Sequence, residues 1–144
     1  MQKKKHKYGA KKAEVNGITF DSKAEARYYM YLLSLQAKGE VTEIELQPVL
    51  PLLPKFIYKG ANRQKMDYVL DFKVTYISGL VEYIDVKGVA TKDALMKRKL
   101  AEFKYPDLNI KWVGRALAYS ESGWLEYDEL QKIKRRRKRE AKGE

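Results

Sequence analysis

The chain contains no cysteine and only one histidine, His6. Without cysteine there can be no disulfide framework, no thiolate metal site and no cysteine nucleophile. The lone histidine lies in a run of lysines, which argues against histidine-based zinc sites and against a Ser-His-Asp catalytic triad. These common types of site are therefore set aside.

Long apolar runs are also missing. No stretch approaches the ~20 apolar residues needed to cross a bilayer, and the N-terminus lacks the apolar centre of a signal peptide. We therefore expect a cytosolic protein with no membrane partner. With 144 residues and 44% hydrophobic residues, the chain is long and apolar enough for one compact domain.

Acidic residues are missing from two terminal segments. Residues 1–12 contain six lysines and residues 132–139 contain seven lysines or arginines, with no acid in either segment. The sequence therefore predicts a basic N-terminal arm (1–12), a nearly neutral domain (13–131) and a basic C-terminal tail (132–144). Basic arms on a neutral body indicate a polyanionic partner, with nucleic acid first. An alternative is that the arms only maintain solubility or act as a targeting signal.

The hydrophobic pattern predicts an α/β fold. Ser22 is a good N-cap for a helix that ends near Lys38, with Gly39 as its C-cap. The remaining elements are predicted as a proline-interrupted strand (41–53), a polar loop (55–65), strands (66–77 and 80–87), a helix (91–105), a strand (108–113) and a last helix (124–133) that dissolves into the basic tail. The β-α-β order near the end implies a parallel strand pair. We expect a mixed sheet of about four strands flanked by helices.

Helical spacing also predicts the faces of the helix over 91–105. Its apolar residues are expected to form the inner face: Leu95, Met96, Leu100 and Phe103. Its basic residues are expected to lie largely outside: Lys92, Lys97, Arg98 and Lys99.

Two charged residues, Asp85 and Lys87, lie on the same face near the end of the strand over 80–87. If the loop before this strand is Ser78-Gly79-Leu80, Ile77 faces Val81. Asp71 then lies opposite Lys87 and beside Asp85. A two-residue turn at Ser78-Gly79 would instead place Asp71 on the other face. We expect the three-residue loop, because it groups charged residues together and apolar residues together.

Carboxylates held a few ångströms apart repel each other unless a cation neutralises them. Lys87 supplies one positive charge, and Mg²⁺, which prefers carboxylate oxygens and retained waters, would supply more. Such a metal can carry a nucleophilic water and stabilise a leaving oxygen. Lys87 could orient or deprotonate that water, or stabilise charge on phosphate oxygens.

Three short motifs carry a resemblance to a known family. They are Ser22-Lys23-Ala24-Glu25 on the first helix, Tyr68-Val69-Leu70-Asp71-Phe72 on a strand, and Ile84-Asp85-Val86-Lys87-Gly88 on the next strand. Their order resembles the PD-(D/E)XK nucleases, especially phage endonuclease I-type Holliday junction resolvases and related small phage nucleases. The chain departs from the family pattern at Leu70, where proline is common, and at Asp85, where glutamate is commoner.

The resemblance implies a restriction-endonuclease-like fold and a Mg²⁺-dependent endonuclease, with Mn²⁺ as a possible substitute. Asp71, Asp85 and the carbonyl of Val86 would bind the metal, Glu25 would complete a two-metal site, and Lys87 would be the catalytic lysine. Further substrate contacts are predicted at Gln47, at the helix lysines Lys92, Lys97 and Lys99, and in the arms at Lys3, Lys4, Lys5, Arg135, Arg136 and Arg137.

Each site residue also has a structural alternative. Glu25 is placed to be the capping-box partner of Ser22. Asp71 and Asp85 could be edge-strand charges that pair with Lys87. Glu82 is expected to be solvated, although a shifted register would make it a rival ligand.

The function predicted first is cleavage of branched DNA by a phage-type homodimer in the cytoplasm of a host cell, because resolving a junction needs two cuts. No recognition helix or zinc finger supplies base readout, which favours selection by DNA structure. One alternative is a non-catalytic nucleic-acid-binding or recombination accessory protein that uses the basic arms. Another is an RNA-binding protein of ribosomal type.

Overall fold

The structure, a computed structural model, describes residues 11–143. Lys3, Lys4, Lys5 and most of the predicted N-terminal arm lie outside the described residues. The helices are α1 (Lys23–Ala37), α2 (Lys92–Lys104) and α3 (Tyr127–Ala141). The strands are β1 (Ala13–Val15), β2 (Ile18–Phe20), β3 (Val41–Leu46), β4 (Val49–Leu53), β5 (Phe56–Tyr58), β6 (Ala61–Arg63), β7 (Met66–Val69), β8 (Phe72–Tyr76), β9 (Val81–Val86), β10 (Asn109–Arg115) and β11 (Trp124–Glu126).

The main sheet is mixed and has five strands in the order β11-β10-β9-β8-β3. Strands β9 and β10 are parallel and are joined through α2, which confirms the predicted β-α-β unit. The other pairings in this sheet are antiparallel. The α/β class is confirmed, and the sheet has one strand more than expected because β11 adds to its edge. Within residues 11–143, no helix is both long and apolar enough to cross a membrane.

Helices cover both faces of the sheet. On one face, α1 contributes Tyr28 and Leu32 to a core with sheet residues such as Val74 and Ile84. On the other face, Ala101 of α2 packs in a second cluster with Leu70, which lies between β7 and β8. Because side chains alternate along a strand, β9 sends Ile84 and Val86 towards α1 and Asp85 towards the α2 side.

Local signals fixed the ends of α1 as predicted. The Ser22 Oγ accepts a hydrogen bond of 3.1 Å from the Glu25 backbone N–H, so Ser22 is the N-cap. At the other end, Gly39 has a φ of 80°, a left-handed conformation that glycine adopts without steric cost. The predicted helix from Ser22 to Lys38 is therefore confirmed to within one residue.

The predicted inner face of α2 is wrong. Leu95, Met96, Leu100 and Phe103 are all exposed, and Phe103 is 87% exposed. The face that packs inward carries Ala94, Arg98, Ala101 and Tyr105, again at helical spacing. Arg98, predicted to be outside, stacks on the ring of Trp112. The helix lies close to the sheet because alanine fills the contact, and the larger side chains are directed outward.

The loop between β8 and β9 has the predicted length but a different position. Its three residues are Ile77, Ser78 and Gly79, with Gly79 at a φ of 91°. The Tyr76 N–H donates to the Leu80 carbonyl, and Phe72 pairs with Ile84. The pairing is therefore shifted by two residues from the prediction. A shift of two keeps the side chains of β8 and β9 on their expected faces, although their partners differ. Leu70, at the break before β8, was expected on the face of Phe72 and lies instead with Ala101 on the α2 side.

Two predicted strands are each divided in the structure. The strand predicted over 66–77 is β7 and β8, which separate at Leu70-Asp71, and the strand over 41–53 is β3 and β4, which separate at Gln47-Pro48. The two breaks are paired: the Gln47 N–H donates to the Asp71 carbonyl and the Leu70 N–H to the Pro48 carbonyl. Proline cannot donate to a ladder, which explains the break beside Pro48.

Two further segments differ from their predictions. Residues 55–65, expected to be a loop, contain the β5–β6 hairpin. The last helix was expected to dissolve into the basic tail, but α3 continues to Ala141. The basic run over 132–139, including Arg135, Arg136 and Arg137, is therefore helical, and all of it except Ile133 is exposed.

Two tyrosines on the α1 side predict a loss of stability in alkali. Burial raises the pKa of Tyr28 well above its ordinary value of about 10, and burial together with the Glu82 hydrogen bond does the same for Tyr76. Below pH ~10 these tyrosines are protonated in both the folded and the unfolded chain, so their contribution to stability is constant. Above pH ~10 they ionise in the unfolded chain first, which lowers its free energy and so lowers the free energy of unfolding. We expect the free energy of unfolding in urea to fall above pH ~10. The fall should be smaller in Tyr28→Phe and unchanged in Tyr58→Phe, whose ring is exposed.

Candidate active site

Asp71 lies where β7 and β8 separate and contacts β9 on both sides of Asp85. The Asp71 N–H donates to the Ile84 carbonyl at 3.0 Å, and the Asp71 Oδ2 accepts from the Val86 N–H at 2.7 Å. Asp71 therefore pairs with β9 through its own backbone N–H and through its carboxylate, which accepts a bond that a strand carbonyl would otherwise accept. Both residues are buried, with 4% of Asp71 and 0% of Asp85 exposed. Lys87, which the sequence predicted opposite Asp71, instead follows Val86, the last residue of β9 that Asp71 bonds.

Lys87 neutralises the buried carboxylate of Asp85. Its Nζ lies 2.9 Å from the Asp85 Oδ2, and only 11% of the lysine side chain is exposed. The same Nζ lies 5.1 Å from the centroid of the Trp112 ring. A buried carboxylate needs such a partner because its desolvation is costly. Asp85 and Lys87 are therefore paired, and Asp71 bonds the backbone of Val86, the residue between them.

Tyr68 belongs to the second of the three motifs, and the sequence predicted no role for it in the site. Its hydroxyl donates to the Asp85 Oδ2 at 2.9 Å and accepts from the Trp112 Nε1 at 2.6 Å. Burial raises the pKa of Tyr68 far above its ordinary value, and the charge of Asp85 raises it further. The hydroxyl therefore stays protonated and acts as a donor. Together with Lys87, it fixes the orientation of the Asp85 carboxylate.

Trp112 and Arg98 extend this group towards α3. Trp112 is the β10 neighbour of Asp85 in the parallel pair. The Arg98 guanidinium carbon lies 4.0 Å from the Trp112 ring centroid, and its Nη1 lies 3.0 Å from the Asp128 Oδ2. A rule that parallel neighbours share a face would have found Trp112. No sequence signal identified Arg98, because the phase of α2 was wrong.

Glu25 is buried in the first turn of α1, with 3% of its surface exposed. Its backbone N–H donates to the Ser22 Oγ, which is the Ser22 half of the predicted capping box, and its side chain does not extend into bulk solvent. α1 packs against β9 on the face that carries Ile84 and Val86. α1 therefore lies in the layer opposite to that of α2, and a place for the Glu25 carboxylate beside Asp85 stays a prediction.

Gln47 lies next to the site through its backbone. Its N–H donates to the Asp71 carbonyl, and its φ of 50° is in the left-handed region, which is strained for a residue with a side chain. This left-handed residue lies at the break between β3 and β4, beside Asp71. A contact between the Gln47 amide and substrate stays a prediction.

The remaining predicted residues lie on the surface or serve structural roles. Lys92 and Lys99 are exposed on α2, and Lys97 is half-buried 3.9 Å from Asp93. Glu82, expected to be solvated, is buried on the α1 face of β9. It accepts a hydrogen bond from Tyr76 and lies 3.5 Å from the Lys111 Nζ. The expectation of a solvated Glu82 is therefore wrong, and its face excludes it as a ligand beside Asp85.

The donor set can be tested for Mg²⁺. Among residues 11–143, no group of three or more His, Cys, Asp or Glu side chains is arranged to hold a metal ion. A site built from Glu25, Asp71 and Asp85, which the resemblance implies, stays a prediction. Asp71 and Asp85 provide two carboxylates next to the backbone of Val86. Mg²⁺ commonly binds one or two carboxylates and completes its shell with water and substrate phosphate, so two aspartates supply donors of the right kind and number, and binding of Mg²⁺ here stays a prediction.

Comparison with known proteins identifies a family without an assigned activity. The sequence profile of a family described as "Protein of unknown function (DUF1064)" matches residues 5–121. The chain belongs to this family. The match contains α1, all strands up to β10 and every residue of the candidate site, and it ends before α3. No curated protein and no solved structure matches the chain.

Proposed function

We propose that this protein is a Mg²⁺-dependent endonuclease that hydrolyses phosphodiester bonds in branched DNA. The observation that carries the proposal is the buried Asp85–Lys87 ion pair, which lies directly beside the buried Asp71 at a break in the sheet. Buried charges are costly for a fold to maintain, so a cluster of three in one place favours a chemical role. The mixed sheet flanked by helices also supports a restriction-endonuclease-like fold.

The residues have distinct roles in this proposal. Asp71 and Asp85 hold Mg²⁺, which when bound supplies an activated water and neutralises charge on the phosphate. Tyr68 and the Val86 N–H keep the two carboxylates in place. The Lys87 ammonium donates to Asp85 and stabilises charge that develops on phosphate oxygens. Its close packing against Trp112 limits the positions that the ammonium can take. A role for Glu25 in a second metal site stays a prediction.

Binding is assigned to the basic surfaces. The helical run over 132–139 has seven cations and no acid, which suits contact with phosphates without reading of bases. Resolution of a four-way junction needs two cuts, so the proposed active form is a homodimer. Mn²⁺ is expected to replace Mg²⁺, because it accepts the same oxygen donors.

The test is incubation of the full-length protein with a cruciform plasmid and with a labelled four-way junction. In Mg²⁺ we expect paired cuts near the branch point, and in EDTA we expect none. A linear duplex with the sequence of two junction arms serves as the matched substrate and should be cut at least about tenfold more slowly. Tight binding without cleavage in Mg²⁺ and in Mn²⁺ would contradict the proposal and select a DNA-binding accessory protein.

A further inference from the structure

A two-stranded ribbon projects from the site. It is formed by β4 with β7 at its base and by β5 with β6 at its tip. We call residues 55–65 the ribbon tip. Tyr58 pairs with Ala61 across a two-residue turn in which Lys59 and Gly60 both have positive φ, the geometry of a tight hairpin. The ribbon tip is therefore a defined hairpin with a regular pairing.

The apolar side chains of the ribbon tip are exposed and are not part of either hydrophobic core. Every residue from Leu53 to Lys65 is exposed, including Ile57 at 71%. An isolated two-stranded hairpin is marginally stable in water, and exposed apolar residues add nothing to it. Clustered exposed apolar residues in a soluble domain mark interaction surfaces. The ribbon tip thus requires an explanation other than packing.

Its charge indicates the partner. The ribbon tip carries Lys55, Lys59, Arg63 and Lys65, and the segment 54–66 contains no acid. Over 13–131 the acids outnumber the basic residues by seventeen to sixteen, so this local excess is not a property of the domain as a whole. Lys65 lies 3.2 Å from the Asp67 Oδ2 at the ribbon base, and the other three cations, on an exposed hairpin, are complementary to a phosphate backbone.

Its shape is also suited to nucleic acid. Phe56 pairs with Arg63 and Tyr58 with Ala61, so the two aromatic rings and the arginine project from the same face. The Lys59 Nζ lies 5.5 Å from the Tyr58 ring centroid at the turn. A two-stranded ribbon fits the major groove of B-DNA, and exposed aromatic rings can stack on bases that a branch leaves unpaired.

The ribbon also connects the tip to the carboxylates. Tyr68, which donates to Asp85, lies on β7 at the ribbon base, seven residues from Ala61. At ~3.3 Å per residue, that separation is about 23 Å, or roughly seven base pairs of duplex. If the phosphate to be cleaved lies at the carboxylates, the DNA arm about seven base pairs away would therefore lie at the ribbon tip.

We propose that the ribbon tip is a DNA-binding element that grips a duplex arm beside the branch point. The kind of DNA, a branched duplex, rests on the proposed function. The contact itself rests on the charge, exposure and shape of the ribbon tip. Lys59 and Arg63 bind phosphates, and Phe56 and Tyr58 contact bases at the junction. A second copy of this chain is the competing occupant of the surface.

The test compares Lys59→Ala/Arg63→Ala with Arg27→Ala/Lys38→Ala, a control that also removes one lysine and one arginine but from the exposed surface of α1. Binding of a labelled four-way junction is measured by fluorescence anisotropy in EDTA over a series of salt concentrations. The ribbon variant should reduce the slope of log affinity against log salt by about 2, because each lost phosphate contact lowers it by about 1. The control should leave the slope unchanged.

Two other measurements complete the test. Tyr58→Ala should weaken binding to the junction at least about fivefold more than binding to a linear duplex, since only the junction offers unpaired bases. An unchanged salt slope in the Lys59/Arg63 variant would overturn the proposal. If that variant instead changes from dimer to monomer in sedimentation, the surface joins two copies of the chain. Because binding is measured in EDTA, loss of the ribbon contact is distinguishable from failure of the nuclease assignment.

Discussion

Replacing Asp85 with asparagine is expected to lower the rate of Mg²⁺-dependent cleavage of a four-way junction by about 10³-fold, or ~4 kcal/mol of transition-state stabilisation. Asparagine has the same shape but no charge, so the pair of aspartates loses half of its negative charge towards a metal. The rate is measured under single-turnover conditions with saturating protein. Binding in Ca²⁺ is measured in parallel and should change by less than about threefold.

Glu82→Gln is the matched control for this substitution. Glu82 is a buried acid on the same strand and is also close to a lysine, Lys111, but its side chain lies on the α1 face. Its variant should therefore cleave within about threefold of the parent rate. Equal losses of activity in the two variants would show that burial of charge on β9, and not the position of Asp85, controls activity.

Replacing Lys87 with methionine is expected to lower the free energy of unfolding by about 3–5 kcal/mol in EDTA. Asp85 has no exposed surface, and Lys87 is the cation that pairs with it at 2.9 Å. Methionine fills a similar volume, so the loss reports an uncompensated buried charge instead of a cavity. The measurement is urea denaturation followed by circular dichroism.

Lys111→Met provides the comparison for Lys87→Met. Lys111 is more exposed than Lys87, and its contact with Glu82 is longer, at 3.5 Å. Each acid keeps one tyrosine hydrogen bond, Glu82 from Tyr76 and Asp85 from Tyr68, so the variants differ in the lost cation. We expect a loss of about 1 kcal/mol in this variant, because solvent screens the pair. If the two lysine variants lose the same stability, the Asp85–Lys87 pair has no special energetic role, and the argument for a site that maintains costly charges fails.

The predictions that succeeded depended on short-range signals. Ser22 and Gly39 determine the ends of α1 through single hydrogen bonds and a single backbone conformation, so neighbouring residues are enough to find them. The alternation of apolar and charged residues over β8 and β9 determined which side chains share a face. That alternation has a period of two, so it cannot distinguish registers that differ by two residues. The choice between Asp85 and Lys87 as the partner of Asp71 was therefore beyond the pattern.

The predictions that failed concerned the contacts between elements. Leu95 and Phe103 have the spacing of a buried face, but α2 packs through Ala101 and Arg98 because Trp112 and Asp128 hold the arginine. In the same way, residues 55–65 are all exposed, so no alternation of buried and exposed side chains marks them as strands in the sequence. Their hairpin follows from the pairing of β4 with β7, which continues to the tip.

The sequence by itself determined the α/β class, the basic terminal segments and the identity of the acids and the lysine that share one region of the sheet. These features follow from composition, from strand alternation and from caps, all of which act over a few residues. Only the tertiary structure decided that Asp71 bonds β9 beside Asp85, that Tyr68, itself bonded by Trp112, orients the Asp85 carboxylate, and that a basic ribbon extends from the same place. Those relations arise from strand register, from the break at Leu70-Asp71 and from helix phase, which depend on contacts between residues far apart in the chain.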